Sequence, residues 1–531
     1  MTDLRALTDE ILSQEEIIKQ GGGPKGIERQ NRLNRLTVRK RIDLLLDKDS
    51  DFFELGIWAG YKMYERWGGL PAAGVVCGIG TVADRKMMII ANDATVSAGA
   101  MFPPSVKKVL RAQRIAYNCR LPIIYLVDSS GVFLPLQDEI FPDEDDFGRI
   151  FRNNSVLSAA GIPQLAAIMG NCIAGGGYLP VLCDKLLMTK GSGLYLAGPA
   201  LVKSAIGQDV DSEILGGSKM HMELSGTVDF QEEDDPSCIR RLRELARHLP
   251  EDAIPSDRKM PERDPDSFYA LVGGNDAKEY DAMELLRGIA DAGSIHEYKA
   301  DYGKSVICCF ARLNDNPVGI LANQRMRTRM ARGEIAMGGV LYSESADKAA
   351  RFVMDCNQDR IPLLFFQDVM GFMVGKAAEE SGIIRRGAKL VNAVSNSIVP
   401  KITVIVGNSF GAGHYAMCGK AYDPDFILAW PNARYAVMGA EQAAETLVDV
   451  RRKAARRKGE VLDEESIHAL YNEIHGCYLE QMDIRYGAAR GWVDAIIAPH
   501  TTRDVLVRLL QLVKRRPIPE ASRFHTGVLQ V

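Results

Sequence analysis

No apolar run in this chain approaches the roughly 18 residues that a bilayer-spanning helix needs, so no membrane span is expected. No C-x-x-C pair occurs among the ten cysteines, and the adjacent Cys308 and Cys309 suit neither a disulfide nor a zinc knuckle. No two of the eight histidines share metal-ligand spacing, so no metal site is expected. Neither charge sign dominates: a net charge of −4 argues against a nucleic-acid or anionic-membrane partner and leaves any anionic ligand to a local basic patch. The segment Met1–Gln20 is charged and helical in pattern and lacks the apolar core of a signal peptide. Together these absences point to a reducing, cytoplasmic setting, or to the mitochondrial matrix in a eukaryote.

What is present is length and repetition. A chain of 531 residues exceeds the roughly 250 to 300 that one core serves, so at least two domains are expected. Leu121-Pro-Ile-Ile-Tyr-Leu-Val-Asp128 reads as a short buried strand, and Ile361-Pro-Leu-Leu-Phe-Phe-Gln-Asp368 as its twin. Gly161–Gly170 and Ile398–Gly407 form a second pair, each with Pro seven residues before Gly. Each then runs into a small-residue loop: Gly170-Asn-Cys-Ile-Ala-Gly-Gly-Gly-Tyr178 and Gly407-Asn-Ser-Phe-Gly-Ala-Gly-His-Tyr415. A register kept over a whole loop marks a duplication. Leu249–Asn275, rich in Pro and charge, reads as the linker, which gives an N-terminal domain over 1–260 and a C-terminal domain over 275–531. The last helix of the first half is expected over Ile239–His248, and Asp281 is expected to cap a helix running through Ile289. Short apolar strands alternating with amphipathic helices, such as Val106–Tyr117 and Ser345–Cys356, predict an α/β fold.

A strand, a run of small residues and a helix start bring backbone N–H groups to the edge of a cavity, where the lack of a Cβ lets an oxygen approach. Such donors make an oxyanion hole. A single loop of this kind is as readily a plain tight turn, but two in one register favour a functional pair. Gly407-Asn-Ser-Phe-Gly411 also fits the nucleophile elbow of a serine hydrolase, with Asp494 and His500 following in the expected order. Its N-terminal twin carries Cys172 in place of Ser409, which counts against that reading. Gly21–Gly26 follows no strand and reads as a flexible turn, and Gly371–Lys376 lacks the spacing of a phosphate loop. Lys107, Lys108, Arg111 and Arg114 follow Pro103-Pro104 at a helix start, with 107, 111 and 114 on one face. By default such a face is solvated; its functional reading is contact with the phosphates of coenzyme A. Arg451–Lys458 reads as a solvated helix.

At these loops the sequence resembles the carboxyltransferase β subunits of biotin-dependent acyl-CoA carboxylases, from about Arg29 to Leu510. The resemblance is carried by Leu134–Asp143, Phe147-Gly-Arg-Ile-Phe151, Gly216–His221, Gly339–Ser345, Gly371–Gly375, Phe410–Gly413, Trp430-Pro-Asn-Ala433 and Val437–Ala443. It is nearest to the methylcrotonyl-CoA and geranyl-CoA carboxylase branch. It implies two tandem crotonase-like domains of the ClpP/crotonase superfamily and a homo-oligomer with a ring-like, hexameric core. It implies that the Gly175 and Gly176 amides hold the enolate oxygen of an acyl-CoA thioester. The amides of Gly411 and Ala412 would hold the ureido oxygen of biotin, with Phe410, Gly413 and Phe372 completing the biotin pocket. CO2 then passes from carboxybiotin to the enolate without a side-chain base. The chain has no Ala-Met-Lys-Met-like biotinylation site and no ATP-grasp stretch, so the biotin is expected on a partner, a biotin carboxylase/biotin carrier subunit. The segment Arg325–Met337 is longer than in methylcrotonyl-type chains. That length, Ala174–Tyr178 and Gln367-Asp368 are similar to glutaconyl-CoA decarboxylase α subunits, which implies the reverse reaction as an alternative. A biotin-free crotonase-type hydratase or hydrolase is the alternative of another class.

Overall fold

Each half opens its sheet with a hairpin whose two turn residues both have positive φ: Ala83 and Asp84 (50° and 64°) in one, Asn314 and Asp315 (48° and 64°) in the other. That geometry matches the twist of paired strands. The computed structural model describes residues 3–249, 259–273, 279–330, 333–457, 463–517, 524–525 and 527. Much of the expected linker, 250–258 and 274–275, lies outside the described residues, as do 331–332 of the long segment and Lys458. The chain divides into two compact units. One comprises Ser13–Pro255 with Ala489–Gly491; the other comprises Met1–Leu12, Ser256–Ala488 and Trp492–Val531.

In the N-terminal unit the strands are β1 (Phe53–Leu55), β2 (Val75–Val82), β3 (Arg85–Asn92), β4 (Ile123–Ser129), β5 (Gln164–Ile173), β6 (Lys185–Thr189), β7 (Gly193–Tyr195) and β8 (Phe230–Glu232). They lie in the order β1-β2-β3-β4-β5-β6-β8, with β7 continuing alongside β5. In the C-terminal unit they are β9 (His296–Glu297), β10 (Val306–Leu313), β11 (Asn316–Asn323), β12 (Thr328–Arg329), β13 (Ile335–Ala336), β14 (Val340–Leu341), β15 (Leu363–Val369), β16 (Gly371–Phe372), β17 (Lys401–Phe410), β18 (Phe426–Ala429), β19 (Arg434–Ala436) and β20 (Ala495–Ile496). The main sheet runs β20-β18-β17-β15-β11-β10-β9, with β19 alongside β17. The two sheets therefore match strand for strand: an antiparallel hairpin, then parallel strands joined through helices. Parallel strands covered on both faces read as continuous apolar runs, which is why β4 and β15 are buried along their whole length.

The crossover helices Pro103–Cys119 and Ser343–Gln358 are also twins. Each holds a serine at its third position, Ser105 or Ser345, whose Oγ accepts the N–H of Phe102 or Tyr342 at 2.9 Å and satisfies an otherwise orphaned donor. One core gathers Ile89, Ile124, Leu126, Leu165, Met169 and Leu242; the other gathers Leu321, Phe352, Phe365, Val369, Leu390 and Met417. Asp281 caps its helix as expected, through Met283 N–H at 3.0 Å, but the helix ends at Arg287. The last helix of the first half starts earlier than expected, at Asp235, because Asp234 accepts the Ser237 N–H at 2.8 Å. Gly21–Gly26 is not a loose turn. It opens the helix Gly23–Arg32, and a Cβ on Gly22 or Gly26 would overlap the Thr95 carbonyl (1.9 and 2.6 Å), so close packing demands the glycines.

Candidate active site

Strand β5 ends at Ile173, and the next residue, Ala174, turns the chain with φ +60° into a short helical turn over Ala174–Gly177. Strand β17 ends at Phe410, and Gly411 does the same with φ +55° into the helix Gly411–Ala416. The left-handed hinge therefore falls at the same step of both loops, and the duplication extends to the backbone. It also keeps the register of the sequence repeat: Ala174 pairs with Gly411, Gly175 with Ala412, and Gly176 with Gly413. The two nominated donor pairs, Gly175/Gly176 and Gly411/Ala412, are thus offset by one residue.

The surroundings of these positions differ. A Cβ on Gly175 would meet nothing within 4 Å, and one on Gly176 only the Phe147 ring at 3.8 Å. These amides stand at the start of a helical turn, where N–H groups have no acceptor within the helix. Ala412 is exposed, whereas Gly413 is buried with Val369 at 2.5 Å from its virtual Cβ. Phe410 is buried against Ala440 and Met482, so it forms a wall, not a protruding contact. Phe372 is half-buried, its ring 3.0 Å from a Cβ on Gly387. A cavity of about 330 Å³ lies within the C-terminal unit, lined among others by Arg325, Asp368, Asn408, Phe410, Gln442 and Met482.

Beneath each loop lies a carboxylate that residue patterns left without a role. Asp128 and Asp368 sit where the register shifts in β4 and β15, a bulge that re-aims the side chain. Each carboxylate occupies the space a Cβ would take on the first loop glycine, 2.0 Å from that on Gly170 and 2.4 Å from that on Gly407. Each also accepts the next N–H, from Asn171 at 3.2 Å and Asn408 at 2.9 Å. Asp128 is paired with Arg41 at 3.2 Å, and Asp368 with Arg325 at 3.1 Å. Burial pushes both carboxyls above their ordinary range, against the pull of these arginines and amides. The sequence signal was the Asp closing each twin strand, which becomes informative only with the glycine opposite it.

The four basic residues of the helix Pro103–Cys119 separate. Arg114 and Lys107 are exposed and Arg111 is half-buried, while Lys107 Nζ donates to the Arg490 carbonyl at 2.7 Å. Lys108 is buried, with Nζ on the Ala72 carbonyl at 3.0 Å, and burial lowers its pKa. One residue further along a helix is a turn of about 100°, which takes Lys108 off the solvent face. Lys108 is thus corrected from the surface cluster to the core.

The hydrolase reading is overturned. Ser409 is 1% exposed, and its Oγ donates to Gln367 Oε1 at 2.6 Å. His414 Nδ1 lies 2.8 Å from the same hydroxyl, so Ser409 Oγ is shared between Gln367 and His414. Burial lowers the His414 pKa to about 4. Asp494 is engaged by Lys420 at 2.9 Å and by the Ile427 N–H at 2.9 Å, and His500 by the Tyr269 hydroxyl at 2.7 Å. Arg451–Arg457 is solvated as expected, within the helix Ala440–Arg457.

A family model described as the carboxyl transferase domain matches residues 29–527. The chain is 41% identical over 532 residues to the mitochondrial methylcrotonoyl-CoA carboxylase beta chain of Arabidopsis thaliana, covering 98% of this chain and 88% of that one. It is similar to the crystal structure of the P. aeruginosa geranyl-CoA carboxylase beta subunit, with TM-score 0.86, 31% identity, and coverage of 98% and 95%. It is also 33% identical over 521 residues to the methylmalonyl-CoA decarboxylase subunit alpha of Veillonella parvula, with 96% of each chain covered.

Proposed function

The chain belongs to the carboxyl transferase family, and on that premise we propose that it moves a carboxyl group between biotin on a partner chain and a methylcrotonyl-CoA-like acyl-CoA. It is a biotin-dependent acyl-CoA carboxyltransferase built from two crotonase-like domains. The observation that carries the reading is the repeated strand, left-handed hinge and helical turn, with open space in front of Gly175 and Gly176. Those two amides stabilise the enolate oxygen of the thioester, each removal of such a donor costing about 3 to 4 kcal/mol of barrier. Lys107, Arg111 and Arg114 form the solvent-facing set for the phosphates of coenzyme A.

The residues of the second loop fit biotin. Phe410, Met370 and Met482 are apolar residues of the cavity wall, and the helix start that follows Phe410, Gly411–Gly413, gives N–H donors for one polar oxygen. Phe372 flanks the same loop. When bound, biotin supplies the carboxyl group and the base. This chain orients the acyl-CoA, stabilises its enolate and excludes water. Exposed Leu196, Leu201 and Ile206 in one unit and Val374, Val437 and Val450 in the other support a homo-oligomer, since monomers seldom leave such residues bare in number. No described helix is long and apolar enough to cross a membrane, which fits a cytoplasmic or matrix setting.

The test uses Gly176→Leu and Ala412→Leu, positions without positive φ, so both variants should assemble. Transfer measured with a biotinylated carrier should fall by more than about 100-fold in each. Full activity in both would end the two-hole mechanism. The reverse direction, decarboxylation, is the second reading, favoured by the long segment Arg325–Met337. Mass spectrometry of the biotinylated chain that co-purifies decides: one with an ATP-dependent carboxylase domain means carboxylation, a small carrier with membrane subunits means decarboxylation.

A further inference from the structure

Two features far apart in sequence are the segment opened by Arg325 and the Asp368 one residue before the end of its strand. The fold joins them. Arg325 Nε lies 3.1 Å from Asp368 Oδ2, and both side chains are under a tenth exposed. Asp368 accepts the Asn408 N–H at 2.9 Å and the Tyr280 hydroxyl at 3.2 Å. Asn408 stands three residues before the hinge at Gly411, so the carboxylate fixes the strand end that carries the donor amides. It also fills the space beside Gly407, which makes its position a condition of the strand's path.

Arg325 is held through Nη1, since its Nε makes no aligned hydrogen bond despite the 3.1 Å approach to Asp368. Its Nη1 donates to the Gly338 carbonyl at 3.2 Å, and a Cβ on Gly339 would lie 2.5 Å from Nη1 and 2.8 Å from the Asp368 carbonyl. The Gly339 N–H donates to the Gln324 carbonyl at 2.7 Å, and the Met370 N–H to the Gly339 carbonyl at 2.7 Å. Both ends of the segment bearing β12 and β13 therefore close around the ion pair. Arg325, Asp368 and Asn408 share the wall of the 330 Å³ cavity with Phe410. In the N-terminal unit the equivalent cation is Arg41, from the helix Val38–Leu45, and it is also held by Asp235 at 2.8 Å and by the Met169 carbonyl at 2.9 Å. The carboxylate is common to both halves, whereas its cation comes from a different part of the chain in each.

We propose that Arg325 and Asp368 are a positioning pair for the C-terminal loop, through which Arg325 and Gly338-Gly339 set the placement of the amides that receive biotin. This rests on the function proposed above. A buried carboxylate that loses its cation must shift or take a proton, and either change loosens the Asn408 bond. Removing both charges at once avoids that cost, so the pair should show strong coupling in a double-mutant cycle.

The experiment uses the full-length protein with free biotin as probe. Variants Arg325→Gln, Asp368→Asn and the double variant are assayed for biotin-dependent decarboxylation of carboxylated 3-methylcrotonyl-CoA. Free-biotin Kd by calorimetry and Tm are measured alongside. Each single variant should lower kcat/KM for free biotin about 30-fold and weaken biotin binding, with the acyl-CoA KM within about twofold of wild type. The double variant should regain about tenfold over the singles while staying below wild type. Singles that keep wild-type biotin constants, or that lose biotin and acyl-CoA constants in parallel with Tm, would reduce the pair to scaffold and overturn the proposal. If a single variant does not assemble, the neutral double variant decides: biotin constants equal to wild type overturn the proposal, and a selective biotin-side loss sustains it. A wild-type protein without biotin-dependent turnover would overturn the proposed function itself, and this role with it.

Discussion

The two loops solve one backbone problem with different residues. In the N-terminal unit an alanine, Ala174, holds the left-handed hinge and two glycines face open space; in the C-terminal unit a glycine holds the hinge and Gly413 is packed tightly. Below them, Asp128 is locked by an arginine that a second carboxylate also binds, while Asp368 and its arginine form a cavity wall. Duplication preserved the geometry that aims amides and let the supporting charge and the free volume diverge. That divergence suits two ligands that present a similar oxygen on bodies of different shape.

The sharpest test of the comparison is to place a methyl group where each carboxylate lies. Gly170→Ala and Gly407→Ala should each destabilise by more than about 3 kcal/mol, because a buried ion pair must move. The N-terminal variant should be the worse of the two in thermal unfolding, since Asp368 borders a cavity and can yield. Equal losses would remove the distinction between a sealed and an open clamp.

A contrast confined to the N-terminal half follows from Glu15, whose carboxylate accepts the Trp58 Nε1–H at 2.8 Å. Burial raises its pKa from 4.5 to about 7. The folded state thus holds a proton that the unfolded state has released. Stability from this group is full below 4.5 and is lost as pH rises through about 7. Glu15→Gln should therefore raise Tm at pH 8, by the equivalent of at most about 3 kcal/mol, and change it little at pH 5. A gain of equal size at both pH values would refute the assignment.

Ser409 and Cys172 are twins, and both are buried. Ser409→Ala should cost about 1 to 2 kcal/mol through the lost bond to Gln367 while transferase activity persists. Loss of all activity in a folded variant would revive covalent catalysis. The hinges differ least from each other. Gly411→Ala should destabilise by about 1 to 2 kcal/mol, and Ala174→Gly should stay within about 1 kcal/mol of wild type, because an L-residue is strained in the left-handed region. Chemical denaturation of the two variants side by side reads the difference directly.

Much of this was legible in residue order. The matched strands, the Pro-to-Gly spacing and the twin loops announce a duplicated α/β architecture, because hydrophobic period and turn residues are local properties. The Asp281 cap was readable for the same reason, as a polar side chain two residues from the N–H it accepts. Lys108 and Gly21–Gly26 were misjudged because burial depends on what a helix packs against. The Ser409 motif was already discounted by its Cys172 twin, and the structure adds that Ser409 is buried, which a pentapeptide does not reveal.

The sequence by itself determined that the chain folds as two similar halves, each ending a buried strand in a loop of small residues, since these features follow from local pattern. Only the tertiary structure decided which residues stand beneath those loops. Arg41 and Asp128 are 87 residues apart, and Arg325 and Asp368 pair from different strands' ends. An ion pair of that kind is set by where strands lie in a sheet, which no short stretch of sequence encodes.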